Sequence, residues 1–257
     1  MMKLVSFDIQ SDFAFFRKPE TNNTLNVSYN MIHKPAILGI LGAILGLRGY
    51  EEKGILPEYY EKLSDIKVGI APLEHQKGSF SKTPIKYTNT VGYANKGTNF
   101  LTEELTLIAP KYRIFILLDE QKPEQKTLLE RLQIGQSEYI PYLGKNEFTA
   151  WWSNFKEWQY REGAPEKNAS FASLFKKNQV VKDHSEASSG GWDFFDLDME
   201  NVEDAFMYFE RLPTGFNLDL MQYHLDELVF TNYQIHNANK MPDVYQLVEN
   251  ETYVQLL

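Results

Sequence analysis

Cysteine is absent from the sequence, which excludes disulfide bridges, thiolate metal ligands and a cysteine nucleophile. The five histidines show neither His-x-His nor His-x-x-x-His spacing, and neither a Gly-x-x-x-x-Gly-Lys-Ser/Thr loop nor a Gly-x-Ser-x-Gly motif is present. We therefore expect no metal site, no cofactor and no catalytic residues. The N-terminus has an acid at position 8 and lacks the apolar core of a signal peptide, so we expect a cytoplasmic protein.

Positive charge is scarce, and it is unevenly distributed along the chain. The net charge is -9, but residues 1–118 carry +3 and residues 119–257 carry -12. The first part can therefore face phosphates, whereas the second is repelled by them and better suits a protein partner. Residues 75–102 contain four lysines and no acid. An ordinary solvated loop with scattered lysines is the alternative interpretation of that segment.

The longest apolar run, Pro35–Leu47, has 13 residues, fewer than the roughly 20 needed to span a membrane. It predicts a buried helix that begins near Lys34 and ends before Gly49, with Arg48 at the negative end of the helix dipole. Three glycines share one face of this helix and predict close approach to another backbone, most simply a sheet: Gly39, Gly42 and Gly46.

Apolar periodicity predicts the order strand, helix, strand, strand, helix, strand. The predicted strands are Lys3–Gln10, Asp65–Leu73, the pair Leu101–Ala109 and Tyr112–Leu118, and Tyr139–Leu143, and the second helix is Pro123–Leu132. This is the α+β, ferredoxin-like order, whose sheet face is a common platform for single-stranded RNA. Residues 11–33 are predicted to form a long polar loop, and residues 75–102 an inserted hairpin.

The amino-acid composition changes from residue 150 onwards. This change predicts a division into residues 1–149 and a C-terminal extension of residues 150–257 with a small sheet. The aromatic cluster at 151–160 favours packing over base stacking. Residues 176–191 are predicted to form a linker, and the acidic, aromatic stretch 193–210 a surface for a protein partner. Strands are predicted at Val229–Ile235 and Val244–Leu256.

Two segments together resemble a known family. The first runs from Phe15-Phe16-Arg17-Lys18-Pro19 through Ser28-Tyr29 into the glycine-spaced helix, and the second is Tyr142-Leu-Gly-Lys-Asn-Glu-Phe148. In this order and separation they resemble the Cas-five subunits of type I CRISPR effector complexes (Cascade), members of the RAMP superfamily, with subtype I-B favoured. The resemblance covers about the first 150 residues, and it implies a ferredoxin-like domain with a hairpin thumb.

The resemblance also implies a function. We expect a non-catalytic subunit that holds the 5′ handle of the CRISPR RNA, contacts the Cascade backbone subunit and large subunit, and meets target DNA only indirectly, away from any membrane. Aromatic faces for bases, small polar groups for base edges and cations for phosphates are what a single-stranded tag requires. The predicted RNA-binding residues are Phe15, Phe16, Arg17, Lys18, Asn22, Asn26, Ser28, Tyr29, His33, Lys34, Arg48, Lys77, Lys82, Lys86 and Tyr87.

Two alternatives remain open at this stage. A metal-independent ribonuclease needs a base for the 2′-hydroxyl and a cation for the phosphorane, and Tyr29, His33 and Lys34 lie close together in sequence. The type I-C lineage of the resembled family cuts repeat RNA with a Tyr, Lys and His set, but its three residues do not all fall on matching positions in this chain. The other alternative is a structural adaptor that binds only protein.

Overall fold

The computed structural model describes residues 1–20, 25–52, 54–88, 101–166, 168–177, 197–198, 202–217, 219–236, 238–239 and 241–257. The predicted site residue Asn22 and most of the predicted linker therefore lie outside the described residues. The helices are α1 Lys34–Leu45, α2 Glu58–Leu63 and α3 Pro123–Ile134. The strands are β1 Met2–Gln10, β2 Phe13–Ala14, β3 Phe16–Arg17, β4 Leu25–Tyr29, β5 Lys67–Leu73, β6 Lys82–Thr88, β7 Leu101–Ile108, β8 Lys111–Asp119, β9 Trp151–Trp158, β10 Tyr160–Glu162, β11 Phe175–Lys176, β12 Leu197–Asp198, β13 Met207–Asn217, β14 Gln222–Thr231, β15 Gln234–Ile235, β16 Val244–Leu247 and β17 Thr252–Gln255.

The central sheet has the strand order β5-β8-β1-β9, and every neighbouring pair is antiparallel. Helix α1 lies between β1 and β5 in sequence, and α3 lies between β8 and β9. This arrangement is the ferredoxin-like fold, so the predicted fold class is confirmed. Apolar residues of β1 that face the helices, such as Val5 and Phe7, share one core with Ile37 of α1 and Leu128 of α3.

The predicted fourth strand, Tyr139–Leu143, is wrong. The fourth strand is β9, in the aromatic cluster, which pairs with β1. The backbone N–H groups of Glu138 and Tyr139 instead donate to the Ile44 and Ala43 carbonyls at 3.1 and 3.0 Å. These carbonyls are in the last turn of α1, and the Ala43 carbonyl also accepts the N–H of the C-cap residue Gly46 at 3.2 Å. The segment therefore helps to satisfy the helix end and does not extend the sheet.

The predicted division between residues 149 and 150 stays a prediction. Strand β9 lies beyond that point in sequence and belongs to the central sheet. The main core also includes Leu212 and Leu228 from the hairpin of β13 and β14. The two predicted C-terminal strands fall into different sheets: β14 pairs with β13 and β11, whereas β16 pairs with β17 and β10.

A second sheet is built from β2, β3, β4, β6 and β7. The prediction of a long polar loop over residues 11–33 is therefore wrong, because three short strands form there and β4 pairs in parallel with β7. Strands β6 and β7 form the inserted hairpin between β5 and β8. Leu101–Ala109 is correctly predicted to contain a strand, but this strand, β7, belongs to the hairpin and not to the central sheet.

Helix α1 begins where the sequence predicts, with His33 as N-cap and Pro35 in the first turn. It ends earlier than predicted, because Gly46 adopts the left-handed conformation, with φ of 75°, that terminates helices. Arg48 consequently lies beyond the helix. The glycine face meets α2 and not a sheet: a Cβ added at Gly42 would overlap the side chain of Tyr59.

The face of the central sheet that points away from the helices is partly covered. Leu4, Phe115 and Trp158 pack there against Tyr245 and Leu247 of β16, together with residues of β17. The Trp158 indole N–H donates to Ser6 Oγ at 2.8 Å, so this tryptophan serves packing, as its cluster predicts. The covered part of the sheet is therefore not available as an RNA platform.

Candidate nucleic-acid interface

A cleft of about 740 Å³ lies along the outer side of α1, and we call it the α1 cleft. Its walls come from β3, the N-terminal turns of α1, the α1–α2 connection, Tyr59 of α2, residues 139–144 and the hairpin of β13 and β14. Five predicted RNA-binding residues from separate parts of the sequence line it: Phe15, Phe16, Arg17, His33 and Arg48. This volume is in the range of small-ligand sites.

Phe15 and Phe16 are buried, with 4% and 3% of their surface exposed, so neither ring offers a free face for the predicted base stacking, which stays a prediction. The Phe16 ring packs edge-on against Tyr112 at a centroid distance of 6.5 Å. The Phe15 backbone N–H donates to the Leu143 carbonyl at 3.1 Å. Because both side chains fill the space beneath the cleft, they shape its floor without offering a free ring face.

Tyrosines that the sequence reasoning missed supply the exposed aromatic surface. Tyr50, Tyr139 and Tyr142 are 60%, 56% and 43% exposed and line the α1 cleft. Phe216 and Tyr223, from opposite strands of the β13–β14 hairpin, stack at 4.9 Å and also line it. Tyr142 opens the second family-like segment, so one sequence signal pointed towards it.

Arg17 is the uncompensated cation of the cleft. Its side chain is exposed and has no ion-pair partner among the residues that the structure describes. Arg48, also on the rim, is bound by two acids: its Nε lies 3.0 Å from a carboxylate oxygen of Glu58 and its Nη1 lies 3.2 Å from one of Glu51. Of the charged residues that line the cleft, Arg17, Arg48 and Glu51, only the charge of Arg17 is left without a counter-charge among the described residues.

Lys18 is held by the acidic second half of the chain. Its Nζ lies 3.0 Å from Glu210 Oε1 and 5.0 Å from the centroid of the Tyr29 ring. Glu210 is 8% exposed and also accepts the backbone N–H groups of Asn30 and Met31, at 3.0 Å each. Lys18 is thus a partly exposed lysine paired with a buried acid, and its predicted role as a phosphate contact stays a prediction.

The small polar groups predicted to read base edges are buried and engaged. Asn26 Nδ2 donates to Thr102 Oγ1 at 2.9 Å. Ser28 Oγ accepts the Phe16 N–H at 2.9 Å and donates to the Tyr29 carbonyl at 2.5 Å. Tyr29 is 2% exposed, its hydroxyl has no partner among the described residues, and burial raises its pKa. The hydrogen bonds of Ser28 join β3 and β4, and that of Asn26 joins β4 to β7. The predicted contacts of Asn26, Ser28 and Tyr29 with RNA stay predictions.

His33 caps α1 and faces the cleft at the same time. Its Nδ1 accepts the Ala36 N–H at 3.2 Å, and its ring contacts those of Phe16, Tyr29 and Tyr223. Burial lowers the pKa of His33 to about 3, because the charged imidazolium cannot be hydrated there. The side chain is therefore neutral at physiological pH, with its proton on Nε2.

Lys34 points away from the site. Its Nζ donates to the Leu257 carbonyl at 2.9 Å, and burial lowers its pKa. It does not line the α1 cleft, so its predicted contact with RNA stays a prediction and is not part of this site. Tyr29, His33 and Lys34 lie close together in sequence. The rings of Tyr29 and His33 are in contact, with their centroids 5.5 Å apart, whereas the Lys34 side chain points away from them.

The predicted cations of the inserted hairpin are all exposed, and they differ in whether they form an ion pair. Lys77 and Lys82 have no ion-pair partner among the described residues. Lys86 lies 2.7 Å from a carboxylate oxygen of Glu103, and Tyr87 is covered by the Lys145 ammonium, 4.1 Å from its ring centroid. Lys86 and Tyr87 are thus engaged within the protein, and none of the four lines the α1 cleft. Residues 89–100 lie outside the described ranges.

Two structural findings bear on other kinds of site. Within the described ranges no group of three or more His, Asp or Glu side chains is arranged to hold a metal ion. In the same ranges no helix has the length and apolar character needed to cross a membrane.

The family of the chain follows from a match that covers most of its length. Residues 4–217 match the family model described as CRISPR-associated protein (Cas_Cas5). The chain belongs to this family. The resemblance inferred from the glycine-spaced helix and its flanking segments is therefore confirmed. No curated protein matches the chain significantly.

Several solved structures are similar in shape. A CRISPR protein from Archaeoglobus fulgidus is 15% identical with a TM-score of 0.46, and the alignment covers 99% of this chain and 98% of that one. A chain of a CRISPR RNA-guided surveillance complex is 10% identical, with a TM-score of 0.45 and coverages of 91% and 92%. A chain of a type III-B Cmr-beta complex, bound to cognate target RNA and AMPPnP, is 10% identical, with a TM-score of 0.47 and coverages of 91% and 86%. At such identities and TM-scores these likenesses carry no inference about function.

Proposed function

We propose that this Cas5-family protein is a non-catalytic subunit of a type I CRISPR effector complex, and that its α1 cleft holds part of the 5′ handle of the guide RNA. The observation that carries the proposal is the composition of the cleft. Exposed tyrosine faces, a neutral histidine donor and an uncompensated arginine surround one concave space. Single-stranded RNA is bound by such combinations of ring faces, edge donors and cations.

The charge distribution supports binding of a short segment of RNA over binding of a long one. Arg17, Lys77 and Lys82 are the predicted cations that stay exposed without an ion pair among the described residues. Each phosphate contact contributes about -0.7 to the logarithmic salt slope for a single strand, so three contacts give a slope of about -2. The chain's net charge of -9 opposes longer non-specific contacts. Retention of a whole guide is therefore assigned to neighbouring subunits, namely the backbone and large subunits of the complex.

A catalytic role is not favoured by the geometry. General acid–base catalysis works best with a group whose pKa lies near the working pH, and burial lowers the pKa of His33 to about 3. Lys34 is turned towards Leu257 and does not face the cleft. Incubation of the purified protein with CRISPR repeat RNA in EDTA is expected to give no cleavage products, and product bands would contradict the non-catalytic role.

The decisive experiment measures RNA binding by the full-length chain. RNA that co-purifies with the tagged protein is sequenced, and its handle-bearing 5′ segment is synthesised with a fluorescent label. Arg17→Ala should weaken binding by about 1–3 kcal/mol, because a charge-assisted phosphate contact is lost. Lys126→Ala removes an exposed charge on α3, away from the cleft, and is the matched control. Equal affinities of the two variants would contradict the proposed site.

A further inference from the structure

The histidine at the start of α1 presents one unused polar atom to the cleft. His33 is 7% exposed and lines the cleft, and its Nδ1 is occupied by the Ala36 N–H. Its Nε2 has no hydrogen-bond partner among the described residues. Nor is it one of the fully enclosed unpaired polar atoms, which are the hydroxyls of Tyr29 and Thr252. Nε2 therefore borders the open space of the cleft as a fixed N–H donor.

The rest of the cleft has exposed rings on which a flat ligand can stack, and few negative charges that would repel a phosphate. Tyr50, Tyr139 and Tyr142 expose ring surface, and Arg17 supplies a cation at the rim. The carboxylate of Glu51 is engaged by Arg48 and does not repel an anion strongly. A planar group that carries a carbonyl oxygen and is attached to a phosphate matches the His33 N–H donor, the tyrosine rings and the Arg17 cation.

We propose that the α1 cleft takes one unstacked nucleobase of the guide and that His33 Nε2–H donates a hydrogen bond to a carbonyl oxygen of that base. This inference rests on the proposed function and adds a specificity-determining residue to it. Uracil, cytosine and guanine carry exocyclic carbonyl oxygens. Adenine carries none: its acceptors are ring nitrogens, and in the orientation that points an exocyclic group at His33 Nε2–H it presents an amino donor in place of an oxygen. The cleft is therefore expected to disfavour adenine.

The discrimination has a modest expected size and a distinctive pH dependence. One neutral hydrogen bond corresponds to roughly 0.5–1.5 kcal/mol, or about a two- to tenfold difference in affinity. Burial lowers the pKa of His33 to about 3, so the neutral form persists as the pH rises above that value. The preference should consequently be constant between pH 5 and pH 8, where an ordinary histidine gains or loses its charge.

The test compares two RNA probes and three proteins. Affinities for oligouridylate and oligoadenylate octamers are measured for the wild type, His33→Ser and His33→Ala. Serine is a good N-cap residue and can accept the Ala36 N–H, but it has no donor where Nε2 lies. Wild type should bind the uridylate about two- to tenfold more tightly, and His33→Ser should lose this ratio. His33→Ala should lose both the ratio and the helix cap, which a lower melting temperature reports.

A measurement on the wild type keeps the test valid if the variants fold poorly. In 15N-labelled protein, oligouridylate should shift the ring resonances of His33 and leave those of exposed His224 unchanged.

Binding of RNA without base preference, with both octamers weakened equally in His33→Ser, would overturn the base-reading role and leave the proposed function standing. Failure of the wild type to bind either octamer or the handle RNA would overturn both. A photocrosslinker at Tyr142 should give an RNA adduct in the assembled complex. A protein adduct would overturn the inference, because the cleft would then hold a partner's polypeptide.

Discussion

Residues 1–118 have a net charge of +3, and residues 119–257 have a net charge of -12. Both parts of the chain nevertheless contribute to the walls of the α1 cleft. Residues 1–118 supply Arg17, His33 and Arg48 to the α1 cleft, and the second part supplies Tyr139, Tyr142, Phe216 and Tyr223. The acid Glu210 reaches across and fixes the backbone of Asn30 and Met31. The basic and acidic parts are thus separate along the sequence but adjacent in space. The acidic part supports the geometry of the basic part.

The largest expected effect comes from breaking this connection at Glu210. Its carboxylate accepts from Asn30 N, Met31 N, Lys18 Nζ and the Tyr208 hydroxyl, all within 3.2 Å. Glu210→Ala leaves these donors without an acceptor, and loss of one partner of a buried charged cluster costs about 3–5 kcal/mol. Urea denaturation should show this decrease in the free energy of unfolding. Glu227→Ala, which removes an exposed acid paired with Lys177, should change it by at most about 0.5 kcal/mol.

The second-largest expected effect on stability comes from Asp8, a buried carboxylate in the basic first part of the chain. Asp8 is 2% exposed and accepts two bonds from Arg113, at 2.7 and 2.9 Å, and one from Asn154 at 2.9 Å. Burial raises the pKa of Asp8, but the hydrogen bonds from Arg113 and Asn154 outweigh burial, so its pKa lies below the ordinary 3.8. Since the folded pKa is depressed, the stabilisation is present above about pH 4 and is lost as the pH falls below it.

Asp8→Asn should therefore lower the free energy of unfolding by about 1.5–3 kcal/mol at pH 7, because hydrogen bonds to a charged group are lost. The difference between wild type and variant should shrink as the pH is lowered from 5 to 3. Exposed Asp12→Asn is the control. A difference between wild type and Asp8→Asn that does not change with pH would show that the carboxylate charge is not what matters.

The third effect separates two glycines on the same helix face. A Cβ at Gly42 would overlap Tyr59, whereas a Cβ at Gly39 would lie 3.7 Å from the Tyr59 ring, an ordinary contact. Gly42→Ala should therefore destabilise the protein by about 1–3 kcal/mol. Gly39→Ala should stabilise it by up to about 1 kcal/mol through helix propensity. Thermal unfolding of both variants tests this prediction. Equal changes in stability would show that the Tyr59 side chain moves aside freely.

The sequence was sufficient to predict the elements with strong local signals. Pro35 and the apolar run located α1, and alternation located β1, β5 and β8. The end of α1 was misplaced because Gly46 and Gly49 are equally good terminators by type, and packing against Glu138 selects the first. Strand β9 was missed because its tryptophans indicate packing without indicating a strand.

The site was predicted less completely than the fold. Arg17, His33 and Arg48 were identified because they lie near a recognisable segment. The pairing of Lys18 with Glu210 could not be foreseen, because the partners are far apart in sequence and only the fold brings them together. The tyrosines of the cleft were missed for the same reason: Tyr50, Tyr139 and Tyr223 come from three separate connections or strands and share no local pattern.

The smallest effect, on RNA affinity, concerns the lysines of the inserted hairpin. Lys77 and Lys82 are exposed without an ion pair among the described residues, whereas Lys86 is paired with Glu103. If the hairpin follows the guide backbone, the double variant Lys77→Ala/Lys82→Ala should reduce the salt slope of affinity for a handle-plus-spacer RNA. The expected change is about 1.4 for two phosphate contacts. Lys86→Ala should change the slope by less, because Glu103 already neutralises this lysine. Parallel slopes for the wild type and the double variant would mean that the two lysines face solvent in the complex, and that the basic part binds RNA through the α1 cleft without help from the hairpin.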